Sequence, residues 1–133
     1  TGNAALPELS RKLTHYFLNR LPEDYVCYWD LIFTQEDHAY RDTSAAAISV
    51  CGIAELLKQL PLTDPLRPAY LNAISLMMRN LQANYFAHNE DGLLREGVYN
   101  FGRDMGINVP NLWGDYFWFE ALVRLSRVWT PYW

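Results

Sequence analysis

Three arginines, Arg41, Arg95 and Arg103, fall in two stretches that are also rich in rings: Tyr28, Trp29, Tyr40, Tyr99, Phe101 and Trp113. A guanidinium offers a planar fork of donors to a carboxylate, and an aromatic face offers a stacking surface. Together they suit an anionic, ring-shaped ligand, which makes this a candidate site for a carbohydrate or an organic anion. Asp30 and the other carboxylates nearby have the chemistry for general acid–base work, but the sequence gives them no pairing geometry. Each residue also has a plain structural alternative. Asp42 and Asp115 read most simply as helix N-caps. Arg41 divides evenly between an internal ion pair and ligand binding, whereas Trp29 and Trp113 read somewhat more readily as packing than as platform.

Other chemistries find little support. Glycine-rich phosphate loops and a Ser/His/Asp spacing are absent, and "HNEDG" (His88 to Gly92) reads as a turn without calcium-loop spacing. Cys27 and Cys51 stand alone and are expected to be free buried thiols. The three histidines are isolated too, so no metal site is expected. The eleven Lys and Arg are scattered and the formal net charge is −4, which argues against a nucleic-acid partner. No stretch approaches the ~20 apolar residues of a membrane span. The first ten residues carry no basic-then-apolar leader pattern.

The elements that must position these residues are four helical patterns of two kinds. The first, about Pro7 to Arg20, has an apolar stripe of Leu9, Leu13, Tyr16, Phe17 and Leu21 opposite a polar face. The second, about Thr43 to Leu60, is apolar almost all round, with Ala45, Ala46, Ala47 and Gly52 allowing close approach. The third, about Pro65 to Asn84, is amphipathic again, with Tyr70, Ile74, Met77 and Leu81 in its stripe. The fourth, about Asp115 to Trp129, is apolar all round, and Glu120 and Arg124 sit four apart as an ion pair. Long connections, about Leu21 to Arg41 and Tyr85 to Trp113, enter the N-terminal ends of the two apolar helices. This places both loops on one side of a single domain spanning residues 1–133. The pattern predicts an all-α fold in which helical hairpins form part of an α/α barrel or toroid. A four-helix bundle fits the periodicity equally well, and the asymmetry of the loops favours the toroid.

Four segments carry a family resemblance: "YWD" (Tyr28 to Asp30), "RDTSAAAISVCGIAELLKQLP" (Arg41 to Pro61), "EGVYN" (Glu96 to Asn100) and "NLWGDYFWFEALVRL" (Asn111 to Leu125). In this order, together with the terminal "YW", they resemble the unsaturated glucuronyl hydrolases of glycoside hydrolase family 88. The resemblance implies an (α/α)6 barrel of which this chain is the C-terminal third. It implies hydrolysis of lyase-generated oligosaccharides by hydration of the C4–C5 double bond of an unsaturated uronic acid, with no metal or organic cofactor and in a bacterial cytoplasm. The catalytic aspartates of such an enzyme belong to the absent N-terminal portion, so none is assigned here and the piece alone is expected to be inactive. The matching rim positions are Tyr99 and Asn100, near the sugar beyond the cleaved bond, with Arg41, Asp42 and Trp113 at the same rim; Trp29 joins the candidate binding residues as a loop aromatic. Members acting on sulfated fragments carry serines and a lysine after that tyrosine. This chain instead runs Asn100 to Met105 without them, and Arg103 is the cation available in their place. An isolated third of a barrel is also expected to self-associate. The competing expectation is a non-catalytic carbohydrate-binding or assembly module on the same scaffold.

Overall fold

The computed structural model describes residues 5–88 and 91–130. The middle of the "HNEDG" turn and the terminal "YW" lie outside the described residues. Four helices dominate: α1 (Ala5–Leu18), α2 (Thr43–Gln59), α3 (Arg67–Asn84) and α4 (Leu112–Ser126). Between α3 and α4 lies a two-stranded antiparallel hairpin, β1 (Gly97–Asn100) and β2 (Met105–Val109), joined by a 3-10 turn over Phe101–Arg103.

The helix boundaries follow from local chemistry. Asp42 is extended, and its carboxylate accepts from the backbone N–H groups of Ser44 (3.1 Å) and Ala45 (3.3 Å), so it caps α2 as expected. Leu60 precedes Pro61, which disfavours the helical region for it, and α2 ends there. Arg67 closes that end by donating from Nη1 to the carbonyl oxygens of Leu57 and Leu60, two acceptors the helix cannot satisfy itself. The α3 helix starts with a proline in its first turn, where a missing N–H costs nothing.

Asp115 does not cap α4. The helix begins at Leu112, three residues earlier than expected, because Asn111 accepts from the Gly114 N–H at 2.7 Å. Asp115 instead reaches back to the incoming loop, where it accepts from the N–H groups of Leu93 (2.9 Å) and Leu94 (3.0 Å).

The α2 helix is the hub. It packs against α1, α3 and, most extensively, α4, whereas neither α1 nor α3 packs extensively on α4. A closed four-helix bundle would bury all four helices on one axis, so the layered arrangement prevails. The core runs from Ala46, Ala47, Val50, Ile53 and Leu56 of α2 to Tyr70, Met77 and Leu81 of α3, and to Trp118 and Ala121 of α4. Cys27 and Cys51 are both free and buried. Burial is the main reason each thiol is pushed up to about 12, which keeps both protonated and unreactive.

Two expectations about faces need correction. Only part of the α1 stripe is covered: Phe17 and Leu21 pack on the core, as does neighbouring Leu18, while Leu9, Tyr16 and Leu13 (60% exposed) stay largely uncovered. Likewise α4 is not buried all round. It seats Trp118, Glu120 and Ala121 but leaves Tyr116, Phe119 (63% exposed), Leu122 and Leu125 uncovered. Among the described residues no further element packs over these apolar positions.

One ionic cluster ties α2 to α4. Arg124 donates to Glu120 at 2.7 Å and to Glu55 at 2.8 Å, and Lys58 also reaches Glu55 at 2.8 Å. The Glu120–Arg124 pair expected from the four-residue spacing forms, and both side chains are nearly enclosed. Removing one member of such a pair strands a buried charge.

Two measurements check this frame. At Gly114 an added Cβ would meet Asn111 Oδ1 at 2.9 Å and Ser44 Cβ at 3.1 Å, so Gly114→Ala should cost about 1–3 kcal/mol in thermal unfolding. The hydrogen bond from Lys58, followed by that from Arg124, holds the Glu55 carboxyl below the ordinary glutamate range despite some burial. A depressed folded-state value stabilises the fold above the ordinary range, and that contribution is lost as acid carries the pH down through the depressed value. Glu55→Gln should therefore be less stable than the parent at neutral pH, and the difference should vanish in acid. Chemical denaturation across pH measures both.

Candidate functional site

The two long connections meet at the N-terminal ends of α2 and α4. Within the first, Tyr28 and Arg41 form an isolated antiparallel bridge, and Asp42 N donates to the Cys27 carbonyl at 2.9 Å. The second is tied to the first turn of α2, where Thr43 N donates to the Glu96 carbonyl and Thr43 Oγ1 to the Arg95 carbonyl at 2.8 Å. The expectation that both loops share one side is met. The second is not structureless, because its middle is the β1–β2 hairpin, paired Val98 to Ile107 and Asn100 to Met105. Alternation is short there, and Gly97 introduces an irregularity in register. The sequence signal for a strand was therefore weak.

At the centre of this rim, Trp113 Nε1 donates to Ser44 Oγ at 3.1 Å, and Ser44 Oγ donates to Asp42 Oδ1. This relay joins the leading ends of the two helices side by side. The Trp113 ring also lies 5.3 Å from the Tyr99 ring, which connects the hairpin to the same point. Ser44 is fully enclosed and was not singled out from sequence, since a serine after an N-cap has no special signature. The spacing from Asn111 to Gly114 could have identified the true cap of α4.

Arg41 takes the internal alternative. Its guanidinium donates to the Val26 carbonyl at 2.7 Å, pairs with Asp24 at 3.4 Å and sits 4.2 Å above the Tyr28 ring. It braces the first loop from within. Asp42 is likewise occupied as a cap. Arg95 donates to the Asn84 carbonyl, close to the end of α3.

Tyr99 and Arg103 are exposed. Asn100 Oδ1 accepts from Arg103 N at 3.1 Å and so shapes the turn that carries Arg103, whose side chain makes no ion pair among the described residues. Trp29 lies at the same rim but is covered by other rings, with Phe101 stacked on it at 4.1 Å and Phe33 tilted against it at 5.5 Å. The structure therefore brings Tyr99, Asn100, Trp113 and Asp42 together, with Arg103 at the hairpin tip and Trp29 beneath it. No cluster of three or more His, Cys, Asp or Glu suited to a metal exists among the described residues. A groove of about 210 Å³ lined by Ser10, Leu13, Thr14, Phe17, Ser49, Gly52 and Ile53 runs between α1 and α2, away from this rim. No described helix is long and apolar enough to cross a membrane.

No protein-family model matches the chain. Individual relatives do. The unsaturated chondroitin disaccharide hydrolase of Streptococcus pyogenes serotype M1 is 47% identical over 133 residues, covering 96% of this chain and 33% of that protein. The unsaturated glucuronyl hydrolase of Bacillus sp. (strain GL1) is 38% identical, covering 99% of this chain and 36% of that protein. Among solved structures, unsaturated glucuronyl hydrolase from Streptococcus agalactiae superposes with a TM-score of 0.87 at 48% identity, over 91% of this chain and 33% of that one. The Bacillus sp. GL1 enzyme gives a TM-score of 0.85 at 39% identity. The four helices match part of the (α/α)6 barrel of these neighbours. The chain spans about a third of the length of the curated relatives it matches. Along nearly its whole length, it is thus a homologue of one third of an unsaturated glucuronyl hydrolase.

Proposed function

We propose that this chain is the C-terminal part of an unsaturated glucuronyl hydrolase, a glycosidase that releases an unsaturated uronic acid from lyase-generated oligosaccharides by hydrating its C4–C5 double bond. The observation that carries the reading is the convergence of both long loops on the paired N-termini of α2 and α4 in a chain 47% identical to an unsaturated chondroitin disaccharide hydrolase. A variant of the Streptococcus agalactiae enzyme has been crystallised in complex with dGlcA-GalNAc6S.

In this reading the piece supplies one wall of the substrate site. Tyr99 offers an exposed ring and hydroxyl to the sugar beyond the cleaved bond, and Arg103 offers a guanidinium to a carboxylate or sulfate there. Asn100 shapes the turn beneath Arg103, and Trp113 backs Tyr99. Asp42 and Arg41 hold the rim from below. The residues that protonate the double bond and activate water lie on the other part of the barrel. No metal or organic cofactor takes part, and the location is the bacterial cytoplasm.

The uncovered apolar faces of α1 and α4 are the edges at which the rest of a barrel would pack. Contiguous apolar surface of this kind is rarely left exposed in a soluble monomer. The 133-residue chain alone should therefore self-associate, which light scattering at increasing concentration checks. A hybrid tests the function directly, with this chain replacing the matching third of the Streptococcus agalactiae enzyme. The hybrid should consume an unsaturated uronyl disaccharide, while the 133-residue chain should not. Tyr99→Ala in the hybrid should lower kcat/KM about tenfold, or ~1.4 kcal/mol. A hybrid that folds with native-like helicity and thermal stability yet turns nothing over would refute the reading.

A further inference from the structure

Trp29 is the rim aromatic whose place in the fold departs most from that of a ligand platform. Residues 29 and 101 belong to different loops, and their rings are nearly parallel, 11° apart with centroids at 4.1 Å. Phe33 takes a second position on the indole, and Tyr40 lies 6.3 Å from the Phe101 ring. Four aromatic side chains thus form one cluster between the 21–41 connection and the tip of the hairpin. The backbone of Trp29 is fixed as well, since its N–H donates to the Tyr40 carbonyl at 3.0 Å.

The hairpin needs such an anchor. It has two short strands, its outer residues are largely exposed, and an isolated two-stranded hairpin is marginal in water. It is attached at one end through the Tyr99–Trp113 contact and at its tip through the Trp29–Phe101 stack. Tyr99 is itself half of the first anchor, and Asn100 lies between the two. Inside the turn, Asn100 Oδ1 accepts from Arg103 N at 3.1 Å.

We propose that Trp29 and Phe101 are a positioning pair. Their stack fixes the β1–β2 hairpin on the 21–41 connection and so sets where Tyr99, Asn100 and Arg103 stand, and the indole is not a sugar-stacking surface. The consequence for substrate rests on the hydrolase reading; the anchoring itself does not.

The test is amide hydrogen exchange on the 133-residue chain, followed at the paired strand residues Val98 and Ile107. Phe101→Ala and Trp29→Ala should each speed exchange at the hairpin at least tenfold and leave the α2 and α3 core amides unchanged, while Phe101→Tyr should restore protection. Unchanged hairpin exchange in either alanine variant would overturn the proposal. In the hybrid enzyme, Phe101→Ala should raise KM several-fold with little change in kcat, and Phe101→Tyr should return KM to the parent value. A drop in kcat at constant KM would also count against a positioning role. If the unsubstituted hybrid folds yet shows no turnover, the hydrolase reading fails while the exchange result still decides the anchoring.

Discussion

The rim depends on a short chain of hydrogen bonds: the Trp113 indole to the Ser44 hydroxyl, and that hydroxyl to the Asp42 carboxylate. A carboxylate that already caps its own helix serves as the final acceptor, so one residue both starts α2 and sets its distance to α4. Because Ser44 is enclosed, its hydroxyl cannot turn to water without leaving a polar group unpaired, and the geometry is strongly enforced. Gly114 permits the approach by leaving out the side chain that would separate the two helix ends. Tyr99 packs against the same tryptophan, with ring centroids 5.3 Å apart, so the hairpin is tied to this junction.

Farther along α2 and α4 a second junction does comparable work with charges. Arg124 bridges Glu120 on its own helix and Glu55 on the other, and both its side chain and that of Glu120 are nearly excluded from solvent. Between the two junctions lie Ala46, Ala47 and Ala121, all fully enclosed. Small side chains bring the backbones close, and polar links at either end fix the register along them. The outer helices are attached more simply, by apolar packing and by a few bonds such as Arg11 to Asp64 and His15 to Tyr70.

The uncovered faces give the architecture its meaning. Leu9, Leu13 and Tyr16 on α1, and Tyr116, Phe119, Leu122 and Leu125 on α4, are apolar at helical spacing and lie on elements that bury their remaining faces properly. A surface helix in a finished domain would carry charges there. The relatives it matches are about three times as long, and under the hydrolase reading the rest of a barrel would cover both edges.

Much of this was legible in the order of residues. Periodicity located all four helices, and the nearly continuous apolar character of α2 and α4 marked them as the inner pair. The long connections at their leading ends placed a rim. The Asp42 cap, the free thiols and the Glu120–Arg124 pair each follow from residue type and spacing, which act over a single turn of chain. What the sequence left undecided were choices between partners far apart along it. Arg41 became a brace because Asp24, Val26 and Tyr28 surround it, and Asp115 bound a loop because Asn111 had already capped its helix. Trp29 is covered because Phe101 arrives from another connection. A side chain's chemistry is written in its type, but the group that satisfies it is chosen by which distant segments the packed backbone brings within reach.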